Sequence, residues 1–215
     1  MANVKQQLET PSLSPLGYPP EVYERRNLNE NNGALNIFAR KLTSVLGSLF
    51  GPKGGKFMNN PYGAFQSTVD QTAAAANTAY AMTLNTTDYA NGVSVASSSR
   101  ITVADPGIWN LQWSGQFQNT DSQLHDARIW LKINGTVVTG STGFISVPNS
   151  HGGVDGHSIV GWNYFLSLNA NDYVELWWET DSTNISIQAY PAAGNYPSTA
   201  SLIATMSFVS NLPTI

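Results

Sequence analysis

The chain has 215 residues and no cysteine, which excludes disulfide scaffolds, thiolate metal sites and cysteine nucleophiles. Only 11% of its residues are charged, against roughly 25% in an average globular domain, and no apolar run approaches the ~18 residues of a membrane span. Before Asn60, seven cations face four carboxylates for a net +3, and after it three cations face ten carboxylates for a net −7. An acidic C-terminal region of this kind repels phosphate and makes nucleic acid a poor partner.

Residues 1–27 hold Pro11, Pro15, Pro19 and Pro20 and show neither helical nor alternating periodicity, so they read as an extended arm. The first residues, MANVKQQLET, lack the charged-then-apolar layout of a signal peptide, so secretion by that route is not expected. An arm with no core of its own needs a partner to order it. That makes it a candidate docking segment, with Leu13, Leu16, Tyr18, Val22 and Tyr23 as anchors and Arg25 and Arg26 as charge contacts.

From 28 to 50 the period changes. Leu28, Asn31, Leu35, Phe38, Leu42, Val45 and Leu49 recur three and four residues apart, the seam of a left-handed coiled coil. Leucine at the a-type positions, with Phe38 and Val45 at d, departs from the parallel-dimer pattern and fits three strands. A single amphipathic helix packed on its own domain is the alternative. Gly51 and Pro52 stop the helix. The following GPKGGK is no phosphate loop, because Phe50 stands where the first glycine belongs and Phe57 follows the lysine. Residues 51–60 read as a Gly-rich neck.

From residue 61 to 215 the period is two. Short alternating runs bounded by Asn, Asp, Gly, Pro and Ser clusters predict a mainly β sandwich or barrel. Asn134-Gly135 predicts a tight hairpin between RIWLKI and TVVTG. Trp109, Leu111, Trp113 and Phe117 share one face of the aromatic-rich strand. Ile129, Leu131 and Ile133 form an inward row, and Trp162, Tyr164, Leu166 and Leu168 predict near-continuous burial farther on.

In this region Gly107-Ile-Trp-Asn-Leu-Gln-Trp113 resembles the G-x-Y-x-F-x-F/Y strand of the C1q/tumour-necrosis-factor-like jelly rolls. Trp130-Leu-Lys-Ile-Asn-Gly135 is similar to their L-x-x-N-G hairpin. Leu166-Ser-Leu-Asn-Ala-Asn-Asp-Tyr-Val-Glu-Leu176 resembles L-x-L-x-x-G-D-x-V-x-L with Asn171 in place of the glycine, and SLIATMSFVS resembles the last buried strand. The resemblance covers residues 62–210 in the family's order and implies a jelly-roll β-sandwich and a tight homotrimer. There is no collagen repeat. The texture of PYGAFQSTVDQTAAAANTAYAMTLNTTDYANGVSV is similar to C1q-like heads in structural proteins of tailed phages of aquatic bacteria, where the head is joined to a particle anchor.

His151, Asp155 and His157 share a Gly-rich loop that a three-fold axis could gather around a metal, but without strict ligand spacing it reads as a solvated loop. His125-Asp126 lacks a serine in a nucleophile-elbow context. On DYVELWWE, alternation places Tyr173, Glu175, Trp177 and Glu179 on one face, as head surface or trimer contact. The two carboxylates stand about 13 Å apart by strand rise, too far for either glycosidase geometry unless the side chains converge. No catalytic, metal or cofactor site is therefore expected.

The expectation is a non-enzymatic, homotrimeric bacteriophage virion protein whose arm docks to other virion structural proteins and whose head faces outward. The stalk and broad head lean it towards a tail or baseplate fibre-like host-attachment protein. A capsid decoration protein would use the same parts, and a soluble carbohydrate-binding lectin is the reading from another class. A host-surface glycan is the partner contemplated for the head. The sequons at Asn85, Asn134 and Asn184 carry no meaning in a phage protein.

Overall fold

The computed structural model describes residues 12–13, 15–16, 18, 21–22, 24–50 and 60–212, with helix side chains described as far as Gly47. The chain divides into two compact units, Met1–Asn59 and Asn60–Ile215. Tyr23, the Leu49 side chain and the neck at 51–59 lie outside the described residues.

The first unit contains α1 (Arg25–Phe50), about 39 Å long at ~1.5 Å per residue. It begins three residues before the seam, because nothing between Glu24 and Leu28 breaks a helix. Leu28 N donates to Glu24 O at 3.3 Å in the first turn. Arg25 and Arg26, expected in the arm, are thus helical, and Arg26 pairs with Glu30 at 2.8 Å. That exposed pair contributes little to stability. Gly33 lies within the helix at a cost of about 1 kcal/mol, and the helix runs on through it.

The second unit is mainly β. Its strands are β1 (Tyr62–Ser67), β2 (Gln71–Thr72), β3 (Tyr80–Ala81), β4 (Thr86–Asn91), β5 (Val93–Ala96), β6 (Arg100–Val103) and β7 (Gly107–Asn119). They continue as β8 (His125–Ile133), β9 (Thr136–Val137), β10 (Gly143–Val147), β11 (Gly156–Leu168), β12 (Tyr173–Thr180), β13 (Ile185–Ile187) and β14 (Leu202–Ser210). One sheet runs β4-β1-β14-β7-β11, with β13 and β2 continuing it beside the end of β7. The other runs β10-β8-β12-β6-β5, with β3 beside β12 and β9 beside β8. All these strand pairs are antiparallel.

Alternation fills the space between the sheets. Trp109, Leu111, Trp113 and Phe117 of β7 are buried, as are Ile129 and Leu131 of β8 and Val174, Leu176 and Trp178 of β12. Phe117 meets Trp178 edge-on at 5.9 Å, and Trp109 meets Phe208 edge-on at 5.5 Å. Trp162 departs from expectation: it is on the inward side of β11, opposite Trp113, yet 44% exposed. It lies across Gly143, where any side chain would strike its ring, and so seals the edge between β11 and β10 rather than entering the core.

Asn134 and Gly135 both adopt positive φ, 50° and 79°, forming the expected hairpin. The register also gives the head a polarity. Phe208 N donates to Pro61 O, Phe208 is level with Trp109, and Ser210 is level with Ile108. The chain therefore enters the head and completes its last strand at the Gly107 end of β7. Segments 120–124, 148–155 and 188–201 lie at the opposite, distal end.

Candidate interaction surfaces

The two sheets present chemically different outer faces. Across β1, β4, β7, β11 and β14, Asp88 is the one residue that is Asp, Glu, Lys or Arg. The outward register positions carry Ile159 and Phe165 on β11, Ile203 on β14, Tyr62 on β1 and Tyr89 on β4. Their exposures run from 46% for Ile203 to 75% for Ile159. Between them β7 presents Asn110, Gln112, Ser114 and Gln116. A broad, nearly uncharged face with apolar side chains, along a sheet whose β11 edge has no further strand among the described residues, is typical of a protein contact.

The other sheet is laced with charge. Tyr173, Glu175, Trp177 and Glu179 lie on its outer face, opposite Val174, Leu176 and Trp178 in the core, as the alternation predicts. Glu175 is nearly covered: its carboxylate accepts a 2.6 Å hydrogen bond from Ser99 Oγ and faces Arg100 Nε at 3.6 Å. Glu179 accepts from Arg128 at 2.8 Å. Each carboxylate thus has its own cation. The rings are capped in the same way, with the Arg100 guanidinium 4.5 Å from the Tyr173 centroid, Lys132 Nζ 3.3 Å from Trp177, and Arg128 5.5 Å from Phe144. This pattern suits a solvated head surface better than a subunit contact.

The histidines part company. His151 N and O both bond to Val154, while Gln118 donates to Asp155. His157 Nδ1 sits 3.2 Å from the Tyr190 hydroxyl. Among the described residues no cluster of three or more metal-ligating side chains forms. His125 does acquire partners that its sequence neighbours do not reveal: Nδ1 lies 3.1 Å from Asp181 and Nε2 3.1 Å from Asp121. The Asp121 carboxyl is lowered to about 2, first by the bond from His125 and then by that from Asn184.

In the first unit, the seam residues Leu28, Leu35 and Leu42 are 46%, 43% and 36% exposed, and Asn31, Phe38 and Val45 are half-buried. Leu13, Leu16, Tyr18 and Val22 of the arm are likewise exposed. Asn27 Nδ2 donates to Tyr18 O at 3.3 Å. Among the described residues, no helix is long and apolar enough to cross a membrane.

No protein-family model matches the chain, and no curated protein is significantly similar to it in sequence.

Proposed function

We propose that the chain is a homotrimeric virion structural protein of a tailed phage, with the arm docking to the particle, α1 forming a three-stranded junction and a C1q/tumour-necrosis-factor-like jelly-roll head facing outward. The observation that carries the self-association is the contrast between the head's outer faces, one almost free of charge and apolar, the other charged and internally paired. The exposed seam of α1 supports the same conclusion, since three leucines in register on one helix stripe need a cover.

The jelly-roll reading is supported by the strand order of the two facing sheets and by the behaviour of the resembling motifs. Asn171, standing where the motif has glycine, adopts φ 67°, the left-handed conformation that asparagine tolerates. Asn134 and Asp172, one from each of two motifs, bond to each other at 2.7 Å. The stem, neck and head order supports a tail or baseplate attachment role.

Light scattering on the full chain tests the assembly, where a trimer is expected and a monomer overturns it. Crosslinking from Lys5 in intact particles tests the location. A tail or baseplate neighbour is expected, and a capsid-shell neighbour replaces host attachment by capsid decoration.

A further inference from the structure

At the distal end of the head a cleft of about 460 Å³ opens between β7, β11 and the 188–201 segment, a size typical of small-ligand sites. Its lining includes Gln116, His157, Ser158, Tyr190, Tyr196 and Thr199, with the exposed Ile159 at its side. The walls are held by backbone. Tyr190 and Thr199 bond reciprocally, at 3.3 and 2.9 Å, and Ala193 and Tyr196 do the same at 3.2 and 3.1 Å, making a small hairpin with Gly194 at φ 57° in its tip. Its base is tied to β7, where Gln116 Nε2 donates to Ala200 O at 2.8 Å and Gln188 N donates to Gln116 O at 2.8 Å. The His157 ring stands edge-on to Tyr190 at 5.8 Å, so the aromatic wall is set before any ligand arrives.

The chemistry of this wall selects its ligand. Two tyrosines, one of them 57% exposed, supply flat apolar faces, and the amide of Gln116 with the hydroxyls of Tyr190 and Thr199 supplies neutral polar groups. Among the described residues, no lysine or arginine lines the cleft. The nearby Asp155 and Asp70 carboxylates, after burial itself, keep the Tyr190 phenol above its ordinary value and therefore neutral. An anion would meet repulsion with no cation to receive it. A neutral ring with one apolar face and a rim of hydroxyls meets both kinds of group.

Position adds a second argument. The cleft is level with Gln116, whereas the chain enters the head level with Trp109, seven residues away along β7 or about 23 Å at ~3.3 Å per residue. The cleft is thus at the end of the head opposite to its chain entry.

We infer that this distal cleft binds a neutral saccharide, with Tyr196 as stacking platform and the hydroxyls and amide around it taking the sugar hydroxyls. The inference rests on the outward display of the head for its role in attachment and on a subunit contact that leaves the Gln116 and Ile159 end of the β7–β11 face open, while the cleft chemistry stands by itself. The chain has three histidines, and His157 alone lines the cleft, so its ring resonance is a local reporter that His157→Gln assigns.

The test titrates the full chain with methyl galactoside, methyl glucoside and N-acetylglucosamine, and with N-acetylneuraminate as the anionic probe. At least one neutral sugar is expected to move the His157 signal saturably while His125 stays still. Tyr196→Ala, at an exposed position, is expected to weaken that binding about tenfold. The inference is overturned if no neutral sugar moves the His157 signal, if N-acetylneuraminate moves it equally, or if Tyr196→Ala binds as well as the parent. A trimer without sugar binding sinks the cleft alone, and a sugar-binding monomer sinks the assembly alone.

Discussion

Replacing Asn134 by alanine removes the clasp between two turns at the chain-entering end of the head. Asn134 Nδ2 donates to Asp172 Oδ1 at 2.7 Å, and its Oδ1 accepts from Tyr173 N at 3.0 Å. The first bond involves a charge, worth ~1.5–3 kcal/mol, and the second ~0.5–1.5 kcal/mol. Both are solvent-exposed, so the lower ends apply and give about 2 kcal/mol. Alanine must also hold the left-handed φ of 50°, which adds about 1 kcal/mol. The total of about 3 kcal/mol predicts a fall of roughly 6–12 °C in melting temperature for a unit of this size.

Asn134→Gly separates the two contributions, because glycine loses the same bonds and keeps the backbone conformation. It should fall roughly two-thirds as far as alanine. The Asp172 carboxyl, held below its ordinary range first by Asn134 and then by the Asn169 backbone, should titrate higher in both variants. Calorimetry at neutral pH and equal protein concentration provides the measurement. An alanine variant melting within about a degree of the parent would refute the clasp, and a glycine variant melting below alanine would refute the backbone assignment.

Assembly is expected to need both apolar surfaces, so the double variant Phe38→Asp with Phe165→Arg should scatter light as a folded monomer. A trimer with that pair would remove both residues from the contact. Phe117→Ala opens the junction with Trp178 in the core and should cost about 3–5 kcal/mol in urea unfolding. A loss below about 1 kcal/mol would mean that the two rings do not carry the sheet-to-sheet contact. Asp121 has a depressed folded pKa of about 2, so its contribution is complete above the unfolded carboxyl value near ~3.9 and is lost as pH falls from about 4 towards 2. His125→Ala should flatten that part of the urea-midpoint profile, and an unchanged acid limb would count against the bridge.

What could be read from the residues followed from how local each cause is. The alternation in Gly107–Asn119 fixes which side of β7 is buried whatever surrounds it, and Asn134-Gly135 sets a turn through two dihedrals. By contrast β4, TTDYAN, is exposed along most of its length and has no period to detect. The position of Trp162 depends on Gly143, which lies in a separate strand of the facing sheet. The bridging of His125 to Asp181 spans 56 positions, and no local pattern announces it. The cleft was the least legible feature. NISIQAY reads as one strand, but β13 stops at Ile187 and the following residues turn into the hairpin that brings Tyr190 against His157. For α1, spacing alone located the stripe, while the extra turn before Leu28 has no apolar period of its own.

The shared level of Pro61 and Phe208 has a practical consequence for anyone rebuilding the molecule. Cargo attached after Leu212 departs beside the incoming strand and leaves the far loops uncovered. Gly152 and Gly153, both with positive φ and with open space where a side chain would stand, offer a splice point at that far tip. Chain entry and the tip loops thus lie at opposite ends of the same sheet, so foreign peptides grafted at the tip can be exchanged without touching the strands at which the chain enters and completes the head.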